Sequence, residues 1–192
     1  MLTPLILTNP TTTPITDEQF YQLSLANRDL KLERTAQGDL LIMPPTGGMT
    51  GKRNSDLNLE LGLWNRATQL GIVLDSSTGF HLPNGAYFSP DAAWVSLGRW
   101  ESLTLEQQEK FLPLAPDFVI ELRSKSDRFP QLQAKMQEYI NNGTRLAWLL
   151  NPQNRDVEIY RPNQTPELLI NPAQLLGEEV LPGFVLDLAL IW

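Results

Sequence analysis

Apolar residues recur along the chain at two spacings, and each spacing predicts its own kind of element. From Lys52 to about Gln69, Leu57, Leu61, Trp64 and Ala67 return every three or four positions, which predicts a helix packed on one face and stopped by Gly71. The stripe Phe129, Leu132, Met136, Tyr139 and Ile140 predicts a second helix over 128–142, ended by Asn142-Gly143. A shorter helix is expected from Thr16, an N-cap with Gln19 at the capping-box position and Asp17 and Glu18 in the first turn, to near Asn27. DFVIELR (117–123) alternates instead: Phe118, Ile120 and Leu122 face one way, and Val119, Glu121 and Arg123 the other.

Weaker patterns fill the gaps. LKLERT (30–35), the glycine turn AQGD (36–39) and LLIM (40–43) predict a β-hairpin. IVLD (72–75) and GFHL (79–82) read as short strands, PNGA (83–86) as a turn, and 87–95 as an apolar strand interrupted by Ser89-Pro90-Asp91. Residues 98–115 form a polar connection with a short helix at 105–111, closed by Pro113 and Pro116. TRLAWLL (144–150) is a strand of the buried type, and VEIYRP (157–162) returns after the turn NPQNRD as a hairpin partner. The remainder reads as short strands ending on LALIW, and there is no internal repeat. Residues 1–15, with three prolines and five threonines, are expected to be an irregular or extended arm before one domain over 16–192. The class is mixed α/β (α+β): a central mixed sheet flanked by helices, with an N-terminal helix and a hairpin. The unit 117–150 is either a parallel crossover or an antiparallel return.

Composition narrows the chemistry. A chain of 192 residues with 42% hydrophobic and 19% charged side chains can bury a core. It has no cysteine, which removes disulfides, thiolate metal sites and cysteine nucleophiles. His81 is the sole histidine, so zinc sites built on several imidazoles are excluded. Fifteen basic against 22 acidic side chains give a net charge of -7, so nucleic acid would not be met by a broad basic surface. No run reaches the roughly 18–20 apolar residues of a membrane span, and MLTPLILTNPTTTP lacks the basic region of a signal peptide. A cytoplasmic protein is the expectation.

PPTGGMTG (44–51) reads as a Pro/Gly loop leading into the helix; with Lys52 it invites comparison with a phosphate-binding loop, but Arg53 stands where a Ser or Thr is needed and Thr46 where the first glycine should be. The stronger candidates are carboxylates. Asp91 opens an apolar strand after Pro90, and Glu121 lies inside one, where a charge is costly unless something cationic meets it. Side by side on adjacent strands, the two would suit a hard divalent ion, Mg²⁺ or Mn²⁺. The alternative is structural: Asp91 caps a turn and Glu121 pairs with Arg123 or another base. Arg123 shares a face with Glu121, Lys125 lies just past the strand, and Lys135 borders the helix stripe and can reach back to the sheet. Beside a bound water, such a lysine would orient it and offset charge on a phosphate. His81 reads as a structural residue, Tyr139 as a core residue with its hydroxyl near the site, and the tryptophans as core or rim anchors.

PDAAWVS, DFVIELRSKSD and LQAKMQEYINNGTRLAWLLNPQNRDVEIYRP, preceded by PPTGGMTGKRNSDLNLELGLW and GFHLPNGAYFSPD, resemble the Uma-two family of restriction-endonuclease-like proteins over about residues 17–185. The resemblance implies the PD-(D/E)xK nuclease fold, hydrolysis of DNA phosphodiester bonds with Mg²⁺ or Mn²⁺, and a homodimer. Pro90-Asp91 matches the PD and Glu121 the second acid; Arg123 replaces the lysine expected two residues later, and Lys135 matches a lysine moved onto the helix. Glu60, on the first long helix, matches an additional helix acid of this fold that would join the metal site. A guanidinium cannot usefully accept a proton. Two other expectations stand beside the nuclease: an inactive nuclease-fold module that binds nucleic acid or protein, and a structural dimer joined through exposed tryptophans.

Overall fold

The computed structural model describes residues 5–8 and 15–192, so most of the expected arm (1–4 and 9–14) lies outside the described residues. In chain order the elements are β1 (Leu5–Leu7), α1 (Asp17–Ala26), β2 (Lys31–Arg34), β3 (Leu40–Met43), α2 (Gly48–Thr68), β4 (Gly71–Asp75), β5 (Phe80–His81), β6 (Tyr87–Phe88) and β7 (Ala92–Ser96). There follow α3 (Leu97–Glu101), α4 (Leu105–Gln108), β8 (Phe118–Leu122), α5 (Phe129–Asn141), β9 (Leu146–Asn151), β10 (Asp156–Tyr160), β11 (Glu167–Ile170), β12 (Gln174–Leu176), β13 (Val185–Asp187) and a 3-10 turn (Leu188–Leu190).

Six strands form the main sheet in the order β11-β10-β9-β8-β7-β4, and five form a second in the order β1-β3-β2-β6-β5. Strands β8 and β9 pair in parallel, with Phe118 opposite Leu146 and Leu122 opposite Leu150, so α5 is a crossover helix. The neighbouring pairs β4–β7, β7–β8 and β9–β10 are antiparallel, and the sheet is mixed as expected. The hairpin β2–β3 forms with Arg34 opposite Leu40, and β1 extends it by pairing with β3.

The alternation along β8 assigns the layers. Phe118, Ile120 and Leu122 pack with Leu57 and Leu61 of α2 and with Trp148, Leu181 and Phe184. Val119 faces the other way, with Met136, Tyr139 and Ile140 of α5 and with Phe80 and Phe88. A smaller cluster of Phe20, Leu32 and Tyr87 lies beneath α1, whose capping box between Thr16 and Gln19 is formed.

Three boundaries differ from the sequence expectation. Helix α2 starts at Gly48, inside the expected loop, and Gly51 N–H already donates to Gly47 O at 2.9 Å. Each glycine costs a helix up to about 1 kcal/mol, and packing of Leu57 and Leu61 further along offsets it. The helix expected at 105–111 is a single turn, Leu105–Gln108, set by the capping box of Thr104 and Gln107. Helix α3, five residues long, is too short to leave a periodic trace. Among the described residues no helix is long and apolar enough to cross a membrane.

Candidate active site

The edges of both sheets, the first turn of α2 and the outer part of α5 enclose a cleft of about 1300 Å³ whose lining includes Glu33, Asp91, Glu121, Arg123, Lys125 and Lys135. Its floor comes from adjacent strands. The register that sets Ala92 opposite Ile120 places Asp91 beside Glu121. Pro90 has no N–H to lose at this strand entrance, and Asp91 is held by its surroundings instead. Its Oδ1 accepts from Asn54 Nδ2 at 2.8 Å and its Oδ2 from the Leu122 N–H at 2.8 Å. Its main-chain oxygen accepts from Asn58 Nδ2 at 2.9 Å. Asn54 and Asn58, four residues apart, therefore form one face of α2 aimed at Asp91.

Glu121 is 5% exposed. Its Oε1 lies 2.7 Å from Lys135 Nζ and accepts from the Tyr139 hydroxyl at 3.2 Å; no hydrogen bond is made to Oε2 among the described residues. Burial pushes the Glu121 carboxyl up to about 7; the Lys135 ammonium pulls against this, and the carboxylates of Asp91 and Glu33 add to it. Lys135 and Tyr139 sit one turn apart on α5, so both reach the same acid. Burial acts against the Lys135 charge, but Glu121 and Glu33 outweigh it and hold the ammonium above the ordinary lysine range. Burial raises the Tyr139 phenol well above its usual value, and the nearby carboxylates raise it further, so it remains a donor.

Glu33 is the residue that the sequence did not disclose. It is 2% exposed, and its Oε1 lies 2.9 Å from Lys135 Nζ and accepts the Ser89 N–H at 2.9 Å. Its signal was faint: a charge inside the strand Lys31–Arg34, paired with the wholly apolar Leu40–Met43. Asn54 and Asn58 were likewise unmarked, since a polar helix face looks solvated from sequence alone.

Arg123 lines the cleft but leans to its side. Its Nη1 donates to Asn151 Oδ1 at 3.3 Å, its guanidinium carbon lies 4.9 Å from the centre of the Phe129 ring, and its Nε is sealed from solvent without a partner. Glu60 is not brought to the cleft: it lies two residues past Asn58, about 200° around the helix, and does not line the site. His81 stacks on Tyr87 at 4.3 Å and lies 3.5 Å from Asp17, outside the cleft; burial lowers its pKa. Trp148 is fully buried, and the half-buried Trp64 packs edge-on to the buried Trp94, so these rings belong to the core and its rim.

Among the described residues no three His, Cys, Asp or Glu side chains gather into a metal cage, so Asp91 and Glu121 stand as a pair. The oxygen-only donor set fits a hard divalent ion that keeps several waters. Asn54 Oδ1, beside Asp91, is a buried acceptor without a donor, which suits the N–H or O–H of a hydrated ligand shell.

The fold is one shared with nuclease-like proteins. The fold matches a crystal structure from Anabaena variabilis described as a "putative nuclease belonging to DUF820", with a TM-score of 0.77 and 19% identity over 92% of this chain and 96% of that one. A family model, Uma2, described as "Putative restriction endonuclease", matches residues 17–189, and the chain belongs to that family. No curated protein matches the chain.

Proposed function

We propose that the protein is a Mg²⁺- or Mn²⁺-dependent endonuclease that hydrolyses DNA phosphodiester bonds. The observation that carries this reading is the meeting of Asp91 and Glu121, from adjacent strands, with the crossover-helix Lys135 in one open cleft. Asp91 and Glu121 would hold the ion. When bound, it supplies an activated water and offsets charge on the scissile phosphate. Lys135 stays protonated between its two acids, so its work is to orient the attacking water and stabilise developing negative charge, and not to accept a proton. The Tyr139 hydroxyl fixes the rotamer of Glu121. Arg123 contributes a permanent charge toward phosphate. Although the chain is acidic overall, Arg53, Arg123, Lys125 and Arg128 line the cleft among acids such as Asp29, Asp127 and Glu138, and they offer separate points of contact for a nucleic-acid backbone. A homodimer working in the cytoplasm completes the reading, and a sizing column tests the dimer directly.

A second reading, a nuclease-fold module that binds without cutting, draws support from Arg123 at the position where the wider superfamily has lysine. Single-turnover cleavage of a mixed-sequence duplex in Mn²⁺ separates the two. Wild type should cut, Asp91→Asn should not, and Arg123→Ala should lose less than Lys135→Ala. Equal cutting by wild type and Asp91→Asn would mark the activity as a contaminant and bring the binding module forward.

A further inference from the structure

The function proposed above gives Glu33 only the part of a countercharge to Lys135, yet with Glu121 it is one of the two buried carboxylates of the cleft. It comes from the second sheet and reaches two segments of the main one. Its Oε1 takes the Ser89 N–H, two residues before Asp91, and the Lys135 ammonium, each at 2.9 Å. Lys135 Nζ meanwhile lies 2.7 Å from Glu121. An ammonium carries three protons and no acceptor, so it can serve both acids at once. If the purpose were only to neutralise Glu121, one acid and one lysine would suffice. A second acid leaves the pair with surplus negative charge, and burying that surplus is costly without a further cation.

From this geometry we infer that Glu33 is a positioning residue, which keeps Lys135 in the cleft when Glu121 is engaged by a divalent cation. The inference rests on the proposed metal role of Asp91 and Glu121 and adds a residue to it. A cation at Glu121 repels an ammonium less than 3 Å from the same carboxylate, and lysine hangs on a flexible four-carbon stem. Without a second anion the side chain would swing toward solvent. Glu33 is itself pinned by the Ser89 N–H, so it offers Lys135 a fixed partner on the opposite side. Lys135 thus exchanges one of two partners and keeps its place near the phosphate.

The test needs no cleavage. Lys135 is reacted with an amine-directed reagent and its modification is followed by mass spectrometry. Glu121→Gln removes the charge that a cation would engage, and Lys135 should stay protected there because Glu33 still holds it. Adding Glu33→Gln, which keeps an acceptor for the Ser89 N–H, should raise modification of Lys135 several-fold, and Glu33→Asp in its place should restore much of the protection. Glu33→Leu serves as a second neutral replacement if the amide disturbs the hairpin. Lys135 equally protected in the folded double variant overturns the inference.

Mn²⁺ calorimetry then asks whether Glu33 acts through the lysine. Glu33→Gln should weaken Mn²⁺ binding by about tenfold, since Lys135 then leans on Glu121 alone, but change it little in a Lys135→Met background. An equal loss in both backgrounds would make Glu33 a direct partner of the cation and overturn the inference. Failure of Mn²⁺ to bind wild type would instead end the nuclease reading, while the metal-free protection pattern still decides the role of Glu33.

Discussion

On the α2 side of the main sheet, Phe118 and Ile120 meet Leu57, Leu61 and Trp148; on the α5 side, the same strand presents Val119 and Glu121 to Met136, Lys135 and Tyr139. One five-residue strand therefore feeds two interiors of different physics. The first is held by burial of carbon, which is non-directional and indifferent to pH. The second depends on one cation serving two acids, and removing that cation exposes both acids to the full cost of burial. The apolar side should tolerate error gradually, whereas the charged side should respond with opposite signs to loss of its cation and loss of an acid.

The widest separation between the two sides should come from Lys135→Ala. It strands Glu33 and Glu121 without a cation and should cost about 3–5 kcal/mol near pH 8. The loss should shrink toward pH 5 as Glu121 takes up a proton, as urea unfolding at the two pH values would show. Ile120→Ala, on the carbon side, should cost about 3 kcal/mol through its cavity, with the same value at both pH values and unchanged Mn²⁺ binding. A pH-dependent cost for Ile120→Ala would mean that the two interiors are coupled.

Glu121 sharpens the contrast further. Its folded pKa of about 7 stands above the ordinary 4.5, so its contribution to stability is fully present below about pH 4.5 and is lost as pH rises through about 7. Glu121→Gln should therefore be more stable than wild type at pH 8 and equal to it at pH 4, while losing Mn²⁺ binding. In wild type, proton and cation compete for this carboxylate, so Mn²⁺ affinity should climb by up to about tenfold per pH unit below 7 and level off above. The smallest effect belongs to a position outside both interiors. A Cβ at Gly48 would meet nothing within 4 Å, so Gly48→Ala should raise stability by about 0.5–1 kcal/mol in thermal unfolding.

The carbon side was legible from sequence because periodicity is a local signal. Phe118, Ile120 and Leu122 announced their common face within a few residues, as did Met136, Tyr139 and Ile140 on α5. The local chemistry of Thr16 with Gln19 was equally plain. The charged side was legible in part: Asp91 and Glu121 stood out as carboxylates at and inside apolar strands, Lys135 as a cation bordering the helix stripe, and all three line the cleft. Glu33 escaped because it is joined to Lys135 across 102 positions, and no spacing rule spans two sheets. Glu60 was singled out on its helix without regard to phase, and Asn54 and Asn58 hold the positions that face Asp91. The expected loop at 44–51 failed for a related reason, since packing further along α2 overrides the reluctance of its glycines.

The exposed polar connection around α4 falls between the two halves of the charged cluster. A chain cut there would yield one piece carrying Glu33 and Asp91 and another carrying Glu121 and Lys135, and β7 would have to find β8 on a separate molecule. Neither piece would contain the cleft, whose lining comes from both. Shielding of Lys135 from solvent would therefore report whether two such fragments had come together in register.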